Sequence, residues 1–344
     1  MTKKTFGMFA GVFTPTTLTI LGVILYIRLP WVVGNAGVLG ALTIVFLSVA
    51  ITLTTALSLS SITTNIRIGS GGAFSLISQS LGLEIGGAIG IPFYFAQAIA
   101  VAMYIFGFRE GLQTIIPGVD PIILDIGIFA VVMTIAFIST SFAFKIQYVI
   151  LGIIVLSLIS IYGTLFVNDL DLNIEWIGNY PGSIENDFSG SSFWVVFAVF
   201  FPAVTGVMAG ANMSGDLTNP RKSIPLGTLS SVIITTIIYV SLIFVLAVIA
   251  TPDELVKNYN FFIEKSLFGP IVLAGLLGAT LSSALGSFVG APRILLALGE
   301  KNILPKSEKL AKISKKGEPF NAMIITAVIV LIGIALRNLN TIAP

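Results

Sequence analysis

The chain has 344 residues, 56% of them hydrophobic and 10% charged, with a formal net charge of +2. No water-soluble fold needs so much apolar material, and recurring apolar runs of roughly 20 residues, the length of a spanning helix, point to a polytopic helical membrane protein. Cysteine and histidine are both absent, which removes disulfides, thiol nucleophiles, thiolate or imidazole metal sites and histidine acid–base chemistry; nucleic-acid binding is a poor fit.

The N-terminus, MTKKTFGMFAG, puts a basic tip before an apolar run too long for a signal-peptide core, and reads as a cytoplasmic tip entering the first span. Cutting at charges, prolines and polar clusters predicts nine spans, at 9–34, 38–63, 84–116, 121–142, 146–167, 193–213, 226–250, 269–290 and 320–337. With the N-terminus inside, thirteen of the 18 basic residues fall on the cytoplasmic side: Lys3, Lys4, Arg67, Lys145, Arg221, Lys222, Arg293, Lys301, Lys306, Lys309, Lys312, Lys315 and Lys316. The longest outer loop, NDLDLNIEWIGNYPGSIENDFSG, carries acids and no base, so the pattern is positive-inside. The lysine-rich stretch 301–316 reads as a solvated loop near anionic lipid.

The first span contains LTILGVILYIR and the sixth FFPAVTGVMAGAN. Each has a Gly-Val pair at its middle (Gly22-Val23 and Gly206-Val207), a threonine just before it (Thr19 or Thr205) and a proline nearby. Two matched breaks five spans apart fit a five-helix inverted repeat whose first helices unwind at the bilayer midplane. Unwound backbone offers carbonyls to a cation and amides, at the positive end of a half-helix, to an anion. In the third span, Gly86 and Gly90 mark close helix packing, and Tyr104 either reaches the cavity or joins an interfacial aromatic belt. Arg28 and Glu110 stand at similar depth. They either pair across an outer vestibule, or Arg28 snorkels to the surface. Asn212-Met213-Ser214 matches a glycosylation sequon at the inner end of a span, where it reads as accidental. In the eighth span, Ser282 and Ser283 with the Ala279 carbonyl offer hard neutral oxygens suited to an alkali cation; the alternative is that these serines bond back to their own helix. With no histidine, cysteine or paired acid at midplane, no enzyme chemistry is evident.

The blocks LGVILYIRLPWVVGNAG, SGGAFSLISQSLGLEIGGAIG, AVAMYIFGFRE, FFPAVTGVMAGANMSGDLTNPRKSIPLGT and ATLSSALGSFVGAPRILLALGEKNILP resemble the cation-chloride cotransporters of the amino acid-polyamine-organocation superfamily. The resemblance runs from about residue 10 to 305. It implies an all-α, LeuT-type inverted-repeat core with helices 1 and 6 broken, in a single transporter domain: a first repeat over about 9–167 and an incomplete second over about 193–344. It implies a sodium site on the backbone of Leu18, Leu21 and Ala279 with the hydroxyls of Ser282 and Ser283. The implied potassium site uses Thr19, the Ile20 and Pro202 carbonyls, Tyr104 and Thr205. One chloride would sit on the amides of Gly22, Val23 and Ile24 and a second on those of Gly206, Val207 and Met208, with Arg28 and Glu110 as the outer gate.

Thr19 stands where that family usually has asparagine, and Leu21 where its sodium-dependent branch has tryptophan. The two serines are those that the potassium-chloride branch lacks, which favours sodium dependence. The chain ends at NTIAP, before a tenth helix, and the pattern leaves room for a homodimer through parts absent from this chain. The implied activity is secondary active, electroneutral symport of chloride with sodium and/or potassium by alternating access across the plasma membrane, with lipid and inorganic ions as partners and no cofactor. An amino acid permease of the same superfamily is the alternative.

Overall fold

A computed structural model of the chain describes residues 5–65, 71–138, 140–168, 170, 172–183, 188–189, 191–314 and 317–336. Lys3, Lys4, Arg67, Lys315 and Lys316, assigned above to the basic side, lie outside the described residues.

The described chain is helical apart from loops and a two-residue hairpin, Gly182–Ser183 against Phe188–Ser189. Among the described residues, eight helical segments are long and apolar enough to cross a membrane, and Phe320–Ala335 is a further, shorter apolar helix at the position of the last predicted span. Large apolar side chains such as Phe46, Ile123, Val149, Trp194 and Ile237 stay exposed along their outer faces. A bilayer solvates such faces at no cost.

The first span begins with a π-helical turn, Phe9–Phe13, continues as Thr14–Ile20, breaks, and resumes at Val23–Ile27. It then passes through Arg28 into a helical stretch, Leu29–Asn65, that is cut at Gly37. Gly37 has φ 66° and ψ 179°, so the first span ends there and the second starts at Val38. This boundary is where the hydropathy pattern put it. Glycine is required on two counts: the left-handed φ, and the loop strand beside it, whose Gly178 nitrogen would lie 2.6 Å from a Cβ. Val38 and Leu39 donate to the carbonyls of Glu175 and Trp176, and Gly178 and Tyr180 donate back to Ala36 and Asn35.

Elsewhere helices outrun their apolar cores. The seventh span is Pro220–Ile249 and the eighth Gly269–Glu300, so Arg221, Lys222 and Arg293 are helical rather than in loops, and Lys145 lies inside Thr140–Tyr162. A hydropathy cut stops at the first charge, whereas the backbone ladder continues wherever the side chain can reach water or a partner. Arg293 shows the second case. It is 6% exposed, bonds Asp216 at 2.8 Å and Glu318 at 3.1 Å, and donates to the Val289 carbonyl.

One helix has no apolar run to announce it. Gly72–Leu81 folds back along the third span, Leu83–Gln113, and the expected glycine packing is made against this helix. A Cβ at Gly86 would lie 2.8 Å from Ser78 Cα, and one at Gly90 would lie 2.7 Å from the Phe74 ring. At the end of the bundle opposite the N-terminus, the short helices Pro252–Lys257 and Phe261–Lys265 form a cap, with Phe261 and Phe262 fully buried.

Gly37→Ala is expected to lower unfolding stability by about 1–3 kcal/mol, the cost of holding a side-chain-bearing residue in a disfavoured backbone region. Thermal unfolding in detergent measures it. Gly127→Ala, whose Cβ would meet nothing within 4 Å, is the control and should lose nothing.

Candidate functional site at two broken helices

In the first span, Leu21 (φ −80°, ψ 42°) leaves the helix and Gly22 (φ −81°, ψ −162°) is extended. A Cβ at Gly22 would stand 2.9 Å from the Thr19 carbonyl oxygen, so only glycine fits the turn. Val23 restarts the helix, and the amides of Gly22, Val23 and Ile24 occupy its first turn, where a helix supplies no acceptors of its own. In the sixth span, Phe193–Phe200 tightens into a 3₁₀ turn, Phe201–Val204. The chain then opens over Thr205–Met208 and re-forms a turn of helix at Ala209–Asn212.

The Pro202 carbonyl, implied above as a potassium ligand, is occupied within the chain. The break falls three residues later, and the Pro202 carbonyl accepts from both the Thr205 amide (3.3 Å) and the Thr205 hydroxyl (2.8 Å), because the 3₁₀ turn closes i to i+3.

The two breaks meet. A Cβ at Gly206 would lie 2.7 Å from the Thr19 Cβ, so the absence of a side chain at 206 is what lets the unwound segments touch. Beside them is a cavity of about 410 Å³ whose wall includes Thr19, Tyr104, Thr205, Gly206, Val207 and Met208. Tyr104 therefore belongs to the cavity rather than to an interfacial belt. The wall also holds Thr52, Gln97, Asn212 and Ser287, and no charged side chain. These residues place the cavity between the breaks and the end of the bundle that carries the N-terminus.

Both threonines have committed their protons. The Thr19 hydroxyl donates to the Pro15 carbonyl at 2.8 Å, and the Thr205 hydroxyl to Pro202. Each side-chain oxygen, on a residue of the cavity wall, is then left with lone pairs only, as a cation ligand needs. The Ile20 carbonyl, expected to join them, accepts a 2.8 Å hydrogen bond from the Tyr239 hydroxyl and keeps one lone pair.

The residues that the resemblance assigns to sodium lie apart from this cavity. Leu18, Leu21, Ala279, Ser282 and Ser283 are each at most 2% exposed, where the first span packs on the eighth. Back-bonding is common for hydroxyls in these helices; Thr280, one turn away, donates to Leu276 and Leu277. Ser283 Oγ is buried with no partner, so for this serine the back-bonding alternative fails. An unpaired buried hydroxyl costs about 1–3 kcal/mol, which a ligand would return.

At the proposed outer gate, Arg28 and Glu110 make no ion pair among the described residues. The Arg28 guanidinium instead lies over the Tyr259 ring of the cap, 4.8 Å from its centroid. Arg109, beside Glu110, pairs with buried Asp125 at 2.8 Å.

Tyr239 escaped the sequence reading, although it ties both breaks together: its hydroxyl holds Ile20, and its ring meets Phe200, just before the second break, at 5.3 Å. Its only signal was a lone polar aromatic in TTIIYVSLIF. Gln97 and Ser287 escaped likewise. Asn212, dismissed as part of a chance sequon, is 3% exposed with an unpartnered Oδ1 at the cavity wall.

A family model described as amino acid permease matches residues 11–343. Solute carrier family 12 member 2 of Squalus acanthias is 38% identical over 98% of this chain and 33% of its own length. Solute carrier family 12 member 1 of Mus musculus is 36% identical over 98% of the chain and 36% of its own length. Human solute carrier family 12 member 8 is 35% identical, with 98% and 49% covered. The chain thus spans about a third to a half of the length of the curated relatives it matches. The chain belongs to the amino acid permease family, and these relatives bear out, along nearly all of it, the resemblance to cation-chloride cotransporters carried by its motif blocks.

Proposed function

We infer that the chain is the core of a secondary active symporter that couples chloride to sodium and potassium by alternating access. The observation that carries this reading is a pair of threonines, their hydroxyl protons spent on backbone carbonyls, in the wall of an uncharged cavity where two helix breaks touch. Thr19, Thr205, Tyr104 and the second lone pair of the Ile20 carbonyl would hold potassium. The amides of Gly206 to Met208 would hold one chloride at the cavity wall, and those of Gly22 to Ile24 another. Sodium would sit between the first and eighth spans, on Ser282, Ser283 and the backbone of Leu18, Leu21 and Ala279, and would satisfy the unpaired Ser283 hydroxyl.

The uncharged wall supports electroneutral coupling. A site without fixed charge gives no counter-ion to a net charge at midplane, which favours cations and chlorides neutralising one another. Loading is then cooperative. Spans 1, 2, 6 and 7 would rock against spans 3, 4, 5, 8 and 9. With the N-terminus cytoplasmic, as the basic residues at that end support, the cavity faces inward in this conformation.

Two measurements test this reading. In liposomes containing the chain, chloride uptake should require both sodium and potassium, and Ser282→Ala with Ser283→Ala should raise the sodium half-saturation about tenfold or more, the equivalent of at least about 1.4 kcal/mol, with less effect on potassium. Chloride uptake indifferent to removal of both cations would sink the idea, and uptake of an amino acid in competition with chloride would favour the permease alternative. Because the chain lacks cysteine, Thr205→Cys and Gln97→Cys give clean accessibility probes. Both should react with an impermeant thiol reagent from the N-terminal side; reaction only from the opposite side would overturn the assigned opening.

A further inference from the structure

The wall of the large cavity holds two kinds of polar side chain. The hydroxyls of Thr52 and Thr55, like those of Thr19 and Thr205, have given their protons to backbone carbonyls: Thr52 to Ser48 and Val49, Thr55 to Ile51. Gln97, Asn212 and Ser287 have not. Their side chains make no hydrogen bond among the described residues, so two amides and a hydroxyl keep unspent protons in the same wall.

Asn212 is the most constrained of the three. It is 3% exposed, and its Oδ1 is sealed off against the first residue of the Gly72–Leu81 helix, where a Cβ on Gly72 would collide with it. The start of a helix is its positive end, which favours the amide oxygen on that side. Nδ2 is thereby turned the other way, beside Gly290, where a Cβ would stand 3.4 Å from it. Ser287 precedes Gly290 by three residues and so shares its face of the eighth span.

All three lie inward of the ion positions assigned above. Asn212 follows Met208 by four residues and Ser287 follows Ser283 by four, in spans that run toward the end carrying the N-terminus. Gln97 precedes Tyr104 by seven, in a span that runs the other way. At the helical rise these steps are about 6 Å for the first two and about 10 Å for the third.

We propose that Asn212 Nδ2 and the Ser287 hydroxyl, with the Gln97 amide in the same wall, form an inner chloride site, occupied as the anion passes between the Gly206–Met208 amides and the N-terminal side. The proposal rests on the chloride reading of those amides. A chloride ion accepts hydrogen bonds and offers none, so it needs donors that the protein has left unspent, and the four threonines cannot serve it. No charged side chain lines the cavity. The ion is therefore held by neutral dipoles alone and leaves readily, as a site on a transport path requires.

The test uses the full chain in proteoliposomes, with chloride half-saturation measured from the N-terminal side and from the opposite side at saturating sodium and potassium. Asn212→Leu, close in shape and without a donor, should raise the value about tenfold from the N-terminal side, the loss of one hydrogen bond to an ion, and leave the opposite side within about twofold. Ser287→Ala should act in the same direction, and it supplies the measurement if Asn212→Leu does not fold. Sodium and potassium half-saturations at saturating chloride should not move. Unchanged chloride half-saturation from the N-terminal side in every variant would overturn the proposal, and so would an equal rise from both sides, which would place these residues at the central site. Tighter sodium or potassium binding in Asn212→Asp would give the position to a cation and overturn it too. A wild-type chain that takes up no chloride would end the symporter reading and this site with it, whereas variants that match a chloride-transporting wild type would end the inner site alone.

Discussion

A peptide group cut out of a helix inside a bilayer has no water to turn to, and the structure around Leu21–Gly22 and Thr205–Met208 is organised by that constraint. Some of the released groups are satisfied locally: Thr205 closes onto Pro202, Thr19 onto Pro15, and Leu25 onto the Gly22 carbonyl. Others are satisfied from a distance, as when Tyr239 crosses from the seventh span to Ile20. What remains is the set of amides at the two restarting helices and the oxygens aimed at the cavity. The site is the residue of this accounting, and its ligand chemistry is set by which groups the protein itself could not reach.

The same bonds divide the molecule into units that can move. Thr17 donates to the Ser231 hydroxyl, whose own proton is shared between the Gly227 carbonyl at 2.8 Å and the Phe13 carbonyl at 3.1 Å, and with Tyr239 these contacts fasten the first span to the seventh. The hydrogen bonds from this pair to the fifth span lie toward the end opposite the N-terminus, where Tyr26 bonds Ser157 at 2.6 Å and Tyr162 bonds Ser241. Gly275 makes the first of these possible, since a Cβ there would lie 2.6 Å from the Tyr26 hydroxyl. Toward the N-terminal end the first span meets the fifth through a ring contact, Phe9 on Tyr148 at 5.9 Å, and the large cavity separates it from the third span. Neutral hydrogen bonds of this kind contribute about 1 kcal/mol each, so a seam of a few of them holds one conformation without trapping the protein in it, as the proposed alternating access needs.

Much of this was legible in the sequence. Span positions follow from apolar length, and the breaks from glycine and proline where lipid tolerates neither without compensation. What was not legible depends on partners remote in sequence. The Gly72–Leu81 helix is held by glycines of the next span rather than by its own hydropathy. The resemblance offered the Pro202 carbonyl as a ligand, but whether that carbonyl stays open depends on the 3₁₀ turn that Thr205 closes. Arg28 and Glu110 were matched by depth, and depth carries no information about Tyr259, which reaches Arg28 from a loop more than 200 residues away.

Thr19 and Leu21 are where this chain departs from the family pattern it resembles, and their surroundings suggest how the proposed site could still work. Thr19 has one side-chain oxygen, held in place by Pro15 and by the close approach of Gly206. A threonine so fixed loses little rotamer entropy on ligating, because the protein has already ordered it. Leu21 is 2% exposed and serves the proposed sodium site through its backbone. Its side chain can therefore vary as long as the Thr17–Leu21 hydrogen bond and the Gly22 turn keep the carbonyl in register. A site built from main-chain groups tolerates side-chain change at its own positions and is most sensitive to changes at Gly22, Gly206 and Tyr239, which set where the main chain goes.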